Sequence, residues 1–369
     1  MQRLVLALGI VVGVGLARQP CVAAIPSAAD ISTEIGMVFA GTPGAVSGDV
    51  NADGDADAAD VVGVLNGLRS PTQAGPYGVG VKRITFTKAS VTQPDQQRVL
   101  LTEIWYPGPS GNGPTDQHPG GKVDAPLADG AHSLPLVMFS HGSCGYQEQS
   151  VFFTSYLASH GFIVAAPPHP GNTTKDCFAG GGTPAAEADS LANRPADIRF
   201  VIDSLLALNA DPTSFFHGAI HPGRIGMSGH SFGGLTTLLV SAADARIVAG
   251  LAMAPVARGF EDEVRAIHVP LMTEVGTLDG LHADGLLTYG WLLAPRYLLE
   301  IDNLTHAAFA DLCIDCTPAT LPLAEAHPVI LRYAIPFLVR WVGGGHQFDA
   351  FLDPAAVPPG VSFSADAPG

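Results

Sequence analysis

Residues 225–234 read Ile-Gly-Met-Ser-Gly-His-Ser-Phe-Gly-Gly, and this stretch decides the fold. Residues 225–228 are a short apolar run that predicts a buried strand, and residues 233–241 predict a helix. The Gly-x-Ser-x-Gly motif between them predicts a sharp strand-to-helix turn that lifts the Ser231 hydroxyl above the sheet. The N–H groups at the helix start can stabilise negative charge there. The alternative is a glycine-rich turn with a structural serine.

Apolar strands alternate with amphipathic helices on both sides of this turn. Such alternation is typical of a mostly parallel sheet covered by helices on both faces, so the predicted fold class is α/β. Ligands of such sheets bind at the carboxyl ends of the strands. The predicted strands cover residues 81–87, 99–106, 136–139, 163–166, 247–253, 271–275 and 297–301, the first two as an antiparallel edge. The predicted helices cover residues 150–159, 196–208, 233–241 and 328–342.

The acid and the base are expected in loops after later strands. A serine hydroxyl is a weak nucleophile until a base takes its proton. In this kind of sheet the acid and then the histidine follow the serine along the chain. Asp279 follows the strand over 271–275 and His306 follows the strand over 297–301, so Ser231, Asp279 and His306 are the predicted triad. The alternatives are His327 as the base and, as the acid, Glu261 or Asp262.

An oxyanion hole needs two backbone N–H groups near the reacting carbonyl oxygen. Phe232, directly after the serine, is one predicted donor. The loop after the strand over 136–139 reads Ser-His-Gly-Ser-Cys-Gly, and Ser143 is the other predicted donor. His141 is expected either to brace this loop or to be a structural histidine.

Four groups of residues resemble the α/β-hydrolase superfamily, and within it the predicted dienelactone hydrolase group that includes platelet-activating-factor acetylhydrolases. They are Ile104-Trp105-Tyr106-Pro107, Phe139-Ser140-His141-Gly142, the Gly229–Gly234 motif, and His306 with Phe309 and Asp311. Together they span about 200 residues. The resemblance implies an α/β-hydrolase fold and an esterase or lipase that works through an acyl-enzyme. Its substrate would be a small-molecule, lipid or polymer ester, and catalysis would need no cofactor.

The chain departs from parts of this group in two ways. Animal platelet-activating-factor acetylhydrolases place the acid after the strand that is 247–253 here, where this sequence has Ala254-Pro255. Its predicted acid resembles that of dienelactone hydrolases and cutinase-like polyester hydrolases. Dienelactone hydrolases themselves use a cysteine nucleophile, so Ser231 argues against their substrate.

The N-terminus has the pattern of a secretory signal peptide. Arg3 precedes a 14-residue apolar run over 4–17, and Val22-Ala23-Ala24 fits a signal-peptidase site. The run is shorter than the ~20 residues that span a bilayer. Residues 1–24 are therefore the predicted signal peptide of a secreted or periplasmic protein without an integral membrane span. The alternative is an uncleaved anchor.

Residues 49–60 match the ligand spacing of an EF-hand calcium loop. Gly54 lies at the sixth position, where the sharp turn is needed, and apolar residues at helical spacing follow over 61–68. The segment resembles one half of a type I dockerin, which makes a cohesin-like partner conceivable. The alternative is an acidic linker. The predicted calcium ligands are Asp49, Asn51, Asp53, Asp55, Asp57 and Asp60.

The predicted export leaves four cysteines in an oxidising compartment, Cys144, Cys177, Cys313 and Cys316. An even number predicts two disulfides. Three pairings are possible, and Cys144–Cys177 with Cys313–Cys316 is favoured because each pair lies within one stretch of loop. The loop over 171–188 would then be either a rim of the cleft that the disulfide holds in place or a surface loop without a role in the site. Tyr146, Phe152 and Trp291 are further candidates for the cleft lining, whereas Trp105 and Trp341 are expected in the core.

The net charge argues against a nucleic-acid partner. The domain organisation follows from the motifs. The net charge of −16 and the lack of any basic run argue against nucleic-acid binding. The predicted organisation is a signal peptide (1–24), a calcium-binding segment with linker (25–75), a catalytic domain (76–345) and a flexible tail (346–369).

Overall fold

The computed structural model describes residues 70–111, 118 and 120–367. The predicted signal peptide and the predicted calcium loop lie outside the described residues. Within the described part, ten strands form one sheet in the order β10-β9-β8-β7-β6-β4-β5-β2-β1-β3. The strands are β1 (Gly78–Ala89), β2 (Gln97–Gly108), β3 (Lys122–Val123), β4 (Leu134–Ser140), β5 (Ile163–Ala166), β6 (Ile220–His230), β7 (Ile247–Met253), β8 (Leu271–Gly276), β9 (Arg296–Ile301) and β10 (Val361–Asp366).

The six central strands, β5, β4, β6, β7, β8 and β9, are parallel. Strands β1 and β2 pair antiparallel at one side, as predicted, and β10 pairs antiparallel with β9 at the other. The helices are α1 (Val151–Ser159), α2 (Thr174–Phe178), α3 (Pro184–Ala210), α4 (Phe232–Ala243), α5 (Glu261–Arg265), α6 (His282–Trp291) and α7 (Leu323–Leu338). This is the predicted α/β-hydrolase arrangement, and no described helix is long and apolar enough to cross a bilayer.

The central strands are apolar throughout because both faces of the sheet are covered. In β4, Val137 and Phe139 pack with α1 and α7, whereas Leu136 and Met138 pack with α3 on the opposite face. All four side chains are fully buried. Because the side chains alternate between the two faces, each face of the sheet has its own core. The carboxyl edge of the strands is left open for a site.

The C-terminal segment differs from the prediction of a flexible tail. Residues 361–366 instead form β10, which pairs with β9 along its whole length. Phe363 is buried, and its ring centroid lies 4.7 Å from that of Tyr333. The Gly/Pro-rich composition predicted no strand here, because the strand has only six residues. Its alternate side chains complete the core.

Two helices also differ from the prediction. Helix α3 begins at Pro184 and continues through Pro195, although proline removes one backbone hydrogen bond. Helix α6 was not predicted, because its residues include two glycines and carry a weak apolar pattern.

Candidate active site

The turn between β6 and α4 holds Ser231 in a strained backbone conformation, with φ 59° and ψ −117°. Two glycines make this turn possible. A Cβ atom at Gly233 would lie 1.8 Å from the Ser140 carbonyl oxygen, and one at Gly229 would lie 2.4 Å from the Gly233 carbonyl oxygen. The geometry therefore explains both glycines of the motif, and it exposes the serine hydroxyl at the carboxyl edge of the sheet.

Ser231, His306 and Asp279 form one continuous chain of hydrogen bonds. His306 Nε2 lies 2.8 Å from Ser231 Oγ, and His306 Nδ1 lies 2.9 Å from Asp279 Oδ2. The Asp279 side chain is buried and also accepts the Leu281 N–H at 2.7 Å, whereas the His306 side chain is 31% exposed. Because the Asp279 carboxylate accepts from Nδ1–H, the neutral ring keeps its proton on Nδ1. Nε2 is then free to take a proton.

The loops that carry the acid and the histidine are tied to each other. Thr277 N–H donates to Ile301 O at 3.0 Å, and Leu278 N–H donates to Leu304 O at 3.1 Å. Gly276 allows this approach, because a Cβ there would lie 2.1 Å from Leu304 O. The distance between acid and base is therefore set by backbone contacts between neighbouring strands.

The structure places the alternative residues away from this chain. His327 stacks on Phe152 with ring centroids 3.6 Å apart. Glu261 lies exposed on α5 and pairs with Arg265 at 2.7 Å. Asp262 lies on the same short helix. None of the three has a hydrogen bond to Ser231 or His306 among the described residues.

The loop after β4 lies against the serine. A Cβ on Gly142 would be 3.4 Å from Ser231 Cβ. The Gly142 N–H donates to Gln149 Oε1 at 2.8 Å, so it is engaged and cannot serve as an oxyanion donor. Phe232 is the first residue of α4, where helix N–H groups have no intrahelical partner. Ser143 and Phe232 thus remain the two predicted donors in this geometry.

Gln149 and His230 link the two halves of the site, and sequence reasoning missed this role. Gln149 Nε2 donates to His230 Nδ1 at 2.9 Å, and His230 Nε2–H donates to the carbonyl oxygen of His306 at 2.9 Å. Burial lowers the pKa of His230 well below its usual value, so the ring stays neutral. A glutamine in a loop carries no sequence signal for such a contact.

His141 braces the loop, as one of the two alternatives predicted. Its Nδ1–H donates to Gly142 O at 2.8 Å, and its Nε2 accepts the His169 N–H at 3.2 Å. His169 in turn bonds Asp197 at 3.1 Å. Burial lowers the pKa of His141 well below its usual value and that of His169 to about 4. Both rings are therefore neutral supports.

Two disulfides flank the site in the favoured pairing, Cys144–Cys177 and Cys313–Cys316. The first joins the loop after β4 to α2. The second lies beside the His306 loop, where the Cys313 sulfur is 3.4 Å from Thr305 Oγ1. Asp311 accepts the N–H of Phe152 at 3.0 Å and so connects the histidine loop to α1.

A cleft of about 580 Å³ opens over Ser231 and His306. Its rim is apolar and exposed: Phe178 is 90% exposed and Ile314 is 85% exposed. Tyr146 lines the cleft, as predicted. Phe152 instead lines a neighbouring depression, and Trp291 packs in a separate core cluster. Trp105 is fully buried, as predicted.

Two clusters in the described part of the chain have metal-ligand chemistry, but both are already engaged. Cys313 and Cys316, beside Asp315, are joined in a disulfide. The other cluster is Glu103, His118 and Glu148. Arg83 lies 2.6 Å from both of its carboxylates and occupies the place of a cation.

Comparisons with known proteins agree with this fold. A family model described as platelet-activating factor acetylhydrolase, isoform II, matches residues 115–188, which include the loop after β4 but not the triad. Platelet-activating factor acetylhydrolase of Cavia porcellus is 27% identical over 164 residues, 36% of this chain and 37% of that protein. Bis(hydroxyethyl) terephthalate hydrolase of Streptomyces coelicolor is 24% identical over 244 residues, 65% of this chain and 67% of that protein. The first match thus spans little more than a third of its relative.

Proposed function

We propose that this chain is a serine hydrolase of carboxylic esters. The observation that carries the proposal is the Ser231–His306–Asp279 hydrogen-bond chain at a strand-to-helix turn, beneath an open apolar cleft. Two relatives with hydrolase names support the same reaction class.

The proposed mechanism uses the groups in the positions described above. His306 Nε2 takes the proton as Ser231 Oγ attacks the ester carbonyl, and the N–H groups of Phe232 and Ser143 bind the oxyanion. His306 then protonates the leaving alcohol, and an acyl-enzyme forms. Water, activated by the same nitrogen, hydrolyses the acyl group. Buried Asp279 holds the ring and stabilises the imidazolium.

The cleft favours an ester with an apolar body. Its lining is mostly apolar, and its rim residues Phe178, Leu312 and Ile314 offer no charge to a polar head group. The acid follows β8, one strand later than in animal platelet-activating-factor acetylhydrolases. Phospholipid selectivity is therefore not part of the proposal. Small esters, lipids and polyesters all contain the carboxylic ester bond that this mechanism cleaves.

The decisive test is hydrolysis of short-chain 4-nitrophenyl esters by wild type and Ser231→Ala. The variant should lose at least about 10⁴-fold in kcat, as other triad enzymes do when the nucleophile is removed. Ser204→Ala is the matched control, because this serine lies within α3, where its hydroxyl donates to the Phe200 carbonyl oxygen at 2.8 Å. Undiminished turnover by Ser231→Ala would reject the proposal. A panel that adds one phospholipid and one polyester defines the substrate.

Two further proposals concern the N-terminal part of the chain. We propose export through the signal peptide over 1–24, which the two disulfides support because they form in oxidising compartments. We also propose that Asp49, Asn51, Asp53, Asp55, Asp57 and Asp60 bind one calcium ion, on the strength of their spacing.

A further inference from the structure

A buried cation, Arg194, lies beneath the loop that carries Ser143. Arg194, on α3, is 0% exposed. Its guanidinium donates to His141 O at 2.6 Å and to Gly142 O at 3.1 Å. The other acceptors are neutral too: Ser140 Oγ at 3.3 Å, Asn172 Oδ1 at 2.6 Å and Ser190 Oγ at 2.9 Å. All the donors of this cation therefore go to uncharged oxygens, two of them in the backbone of the loop.

The bond to Gly142 O acts directly on the Ser143 N–H. These two groups belong to one planar trans peptide unit, in which the carbonyl and the N–H point in opposite directions. His141 Nδ1–H donates to the same Gly142 oxygen at 2.8 Å. The Gly145 N–H also donates to this oxygen, at 3.2 Å. A flip of this peptide would place the Gly142 carbonyl on the cleft side and take the acceptor away from all three donors. Together with the Gly145 N–H, Arg194 and His141 thus fix the Ser143 N–H on the side away from Arg194.

Arg194 also touches the residue of the second donor. Its guanidinium carbon lies 4.4 Å from the centroid of the Phe232 ring. One cation therefore contacts the carbonyl of the peptide that carries the Ser143 N–H and the side chain of Phe232, the other predicted donor.

The position of the charge adds an electrostatic effect. Burial lowers the pKa of Arg194 to about 9, which still leaves the group charged at neutral pH. A cation that donates to a peptide oxygen polarises the peptide and makes its N–H a stronger donor. Such a fixed, buried charge also favours the negative charge that develops during acyl transfer, with part of it offset by the nearby Asp197 carboxylate.

We propose that Arg194 is a positioning residue of the oxyanion hole, because it holds the Gly142–Ser143 peptide and the Phe232 ring in the arrangement that binds the transition state. The proposal rests on the proposed ester hydrolase function. Its effect is expected on the chemical step and not on substrate binding, since Arg194 is shielded from the cleft by the loop it holds.

Arg194→Met is the main test, measured as kcat and KM with a 4-nitrophenyl ester. The expected result is a fall of about 10²-fold in kcat, as for the loss of one oxyanion donor, with KM changed less than about threefold. Inactivation by a 4-nitrophenyl phosphonate, which forms a tetrahedral adduct on the serine, should slow to a similar extent. Arg194→Lys keeps the charge but cannot hold both carbonyls in a fixed plane, so about a tenfold fall in kcat is expected.

Arg296→Met is the matched control. Arg296 also donates to two backbone carbonyls, Tyr289 O and Leu292 O at 3.0 Å, and it stacks on the Tyr289 ring at 4.8 Å. It lies at the start of β9, at the opposite edge of the sheet from the cleft. Its loss should lower the melting temperature and leave kcat within about twofold.

Three outcomes would overturn the proposal. One is a folded Arg194→Met enzyme with kcat within fivefold of wild type. Another is an equal fall in kcat for Arg296→Met. If Arg194→Met does not fold, a folded Arg194→Lys enzyme with kcat within twofold of wild type overturns it. Failure of the ester hydrolase function itself is separate, because it would appear as unchanged turnover in Ser231→Ala.

Discussion

Asp279→Asn should disable the enzyme by fixing the wrong histidine tautomer. In the wild type, Asp279 Oδ1 accepts the Leu281 N–H at 2.7 Å, and both carboxylate oxygens lie near His306 Nδ1, Oδ1 at 3.0 Å and Oδ2 at 2.9 Å. Asparagine has only one oxygen, and Leu281 N–H requires it. The amide NH₂ then takes the Oδ2 position, 2.9 Å from Nδ1, where a protonated Nδ1 would face a second donor and a proton-free Nδ1 can accept. The proton moves to Nε2, and Nε2 can no longer take the proton of Ser231.

The size of the effect follows from the contacts. The opposite amide orientation would leave the Leu281 N–H against another donor, at a cost of about 1–3 kcal/mol. Loss of the carboxylate charge removes a hydrogen bond to the imidazolium worth about 1.5–3 kcal/mol. Together these raise the barrier by roughly 2.5–6 kcal/mol, which is about 10²–10⁴-fold in kcat. KM should change little, because Asp279 lies behind His306.

The assay is steady-state hydrolysis of 4-nitrophenyl acetate at neutral pH by wild type, Asp279→Asn and Asp279→Ala. Alanine has no NH₂ group to hold the wrong tautomer, so it should retain at least as much activity as asparagine. Glu261→Gln is the control for the alternative acid and should keep kcat within about twofold. The reasoning fails if Asp279→Asn keeps more than about a tenth of wild-type kcat, or if Glu261→Gln loses as much.

Two further predictions concern stability and metal binding. Glu274 is fully buried with no hydrogen-bond partner for either carboxylate oxygen among the described residues, and burial raises its pKa well above the usual value for a glutamate. The unfolded state ionises first, so this group should lower the free energy of unfolding by about 1.4 kcal/mol per pH unit as the pH rises from its unfolded pKa of ~4.5 to its raised folded pKa. Urea unfolding of Glu274→Gln at several pH values should lack that contribution, and an unchanged pH slope would contradict it. Calorimetric titration of the full chain should show that one calcium ion binds. Binding should be lost in Asp53→Ala and kept in the exposed control Asp95→Ala. Wild type that shows no heat of calcium binding would refute the loop assignment.

The turn at Ser231 could be predicted from the sequence because its constraints are local. Gly229 and Gly233 are required by contacts within the turn and the adjacent β4 loop, so the motif and its flanking strand and helix carry the signal together. Asp279 and His306 were accessible for a related reason: in a parallel sheet, loops after neighbouring strands meet at one edge.

Arg194 and Gln149 could not be predicted, because their roles depend on contacts across the fold. Arg194 acts on a loop 52 residues earlier in the chain, and nothing near it in sequence shows that its side chain would be buried. The only signal was a charged residue at a position on the buried face of α3. Strand β10 was missed for the same reason, because its stability comes from pairing with β9 and from Phe363.

The position of the proposed acid has a structural cause in the loops after β7 and β8. After β7 the chain turns at Ala254, with φ 44°, and runs closely over α4. A Cβ at Gly234 would lie 2.9 Å from Pro255 Cα, so this loop is packed onto the helix that follows the serine. A carboxylate there would need a wider loop to reach His306. The loop after β8 already hydrogen-bonds to the loop after β9, and Asp279 needs no such detour. The acid position therefore follows from how these two loops pack, whereas the cleft lining comes mainly from the loops after β4 and β9 and from α2, and it is this lining that should set substrate selectivity.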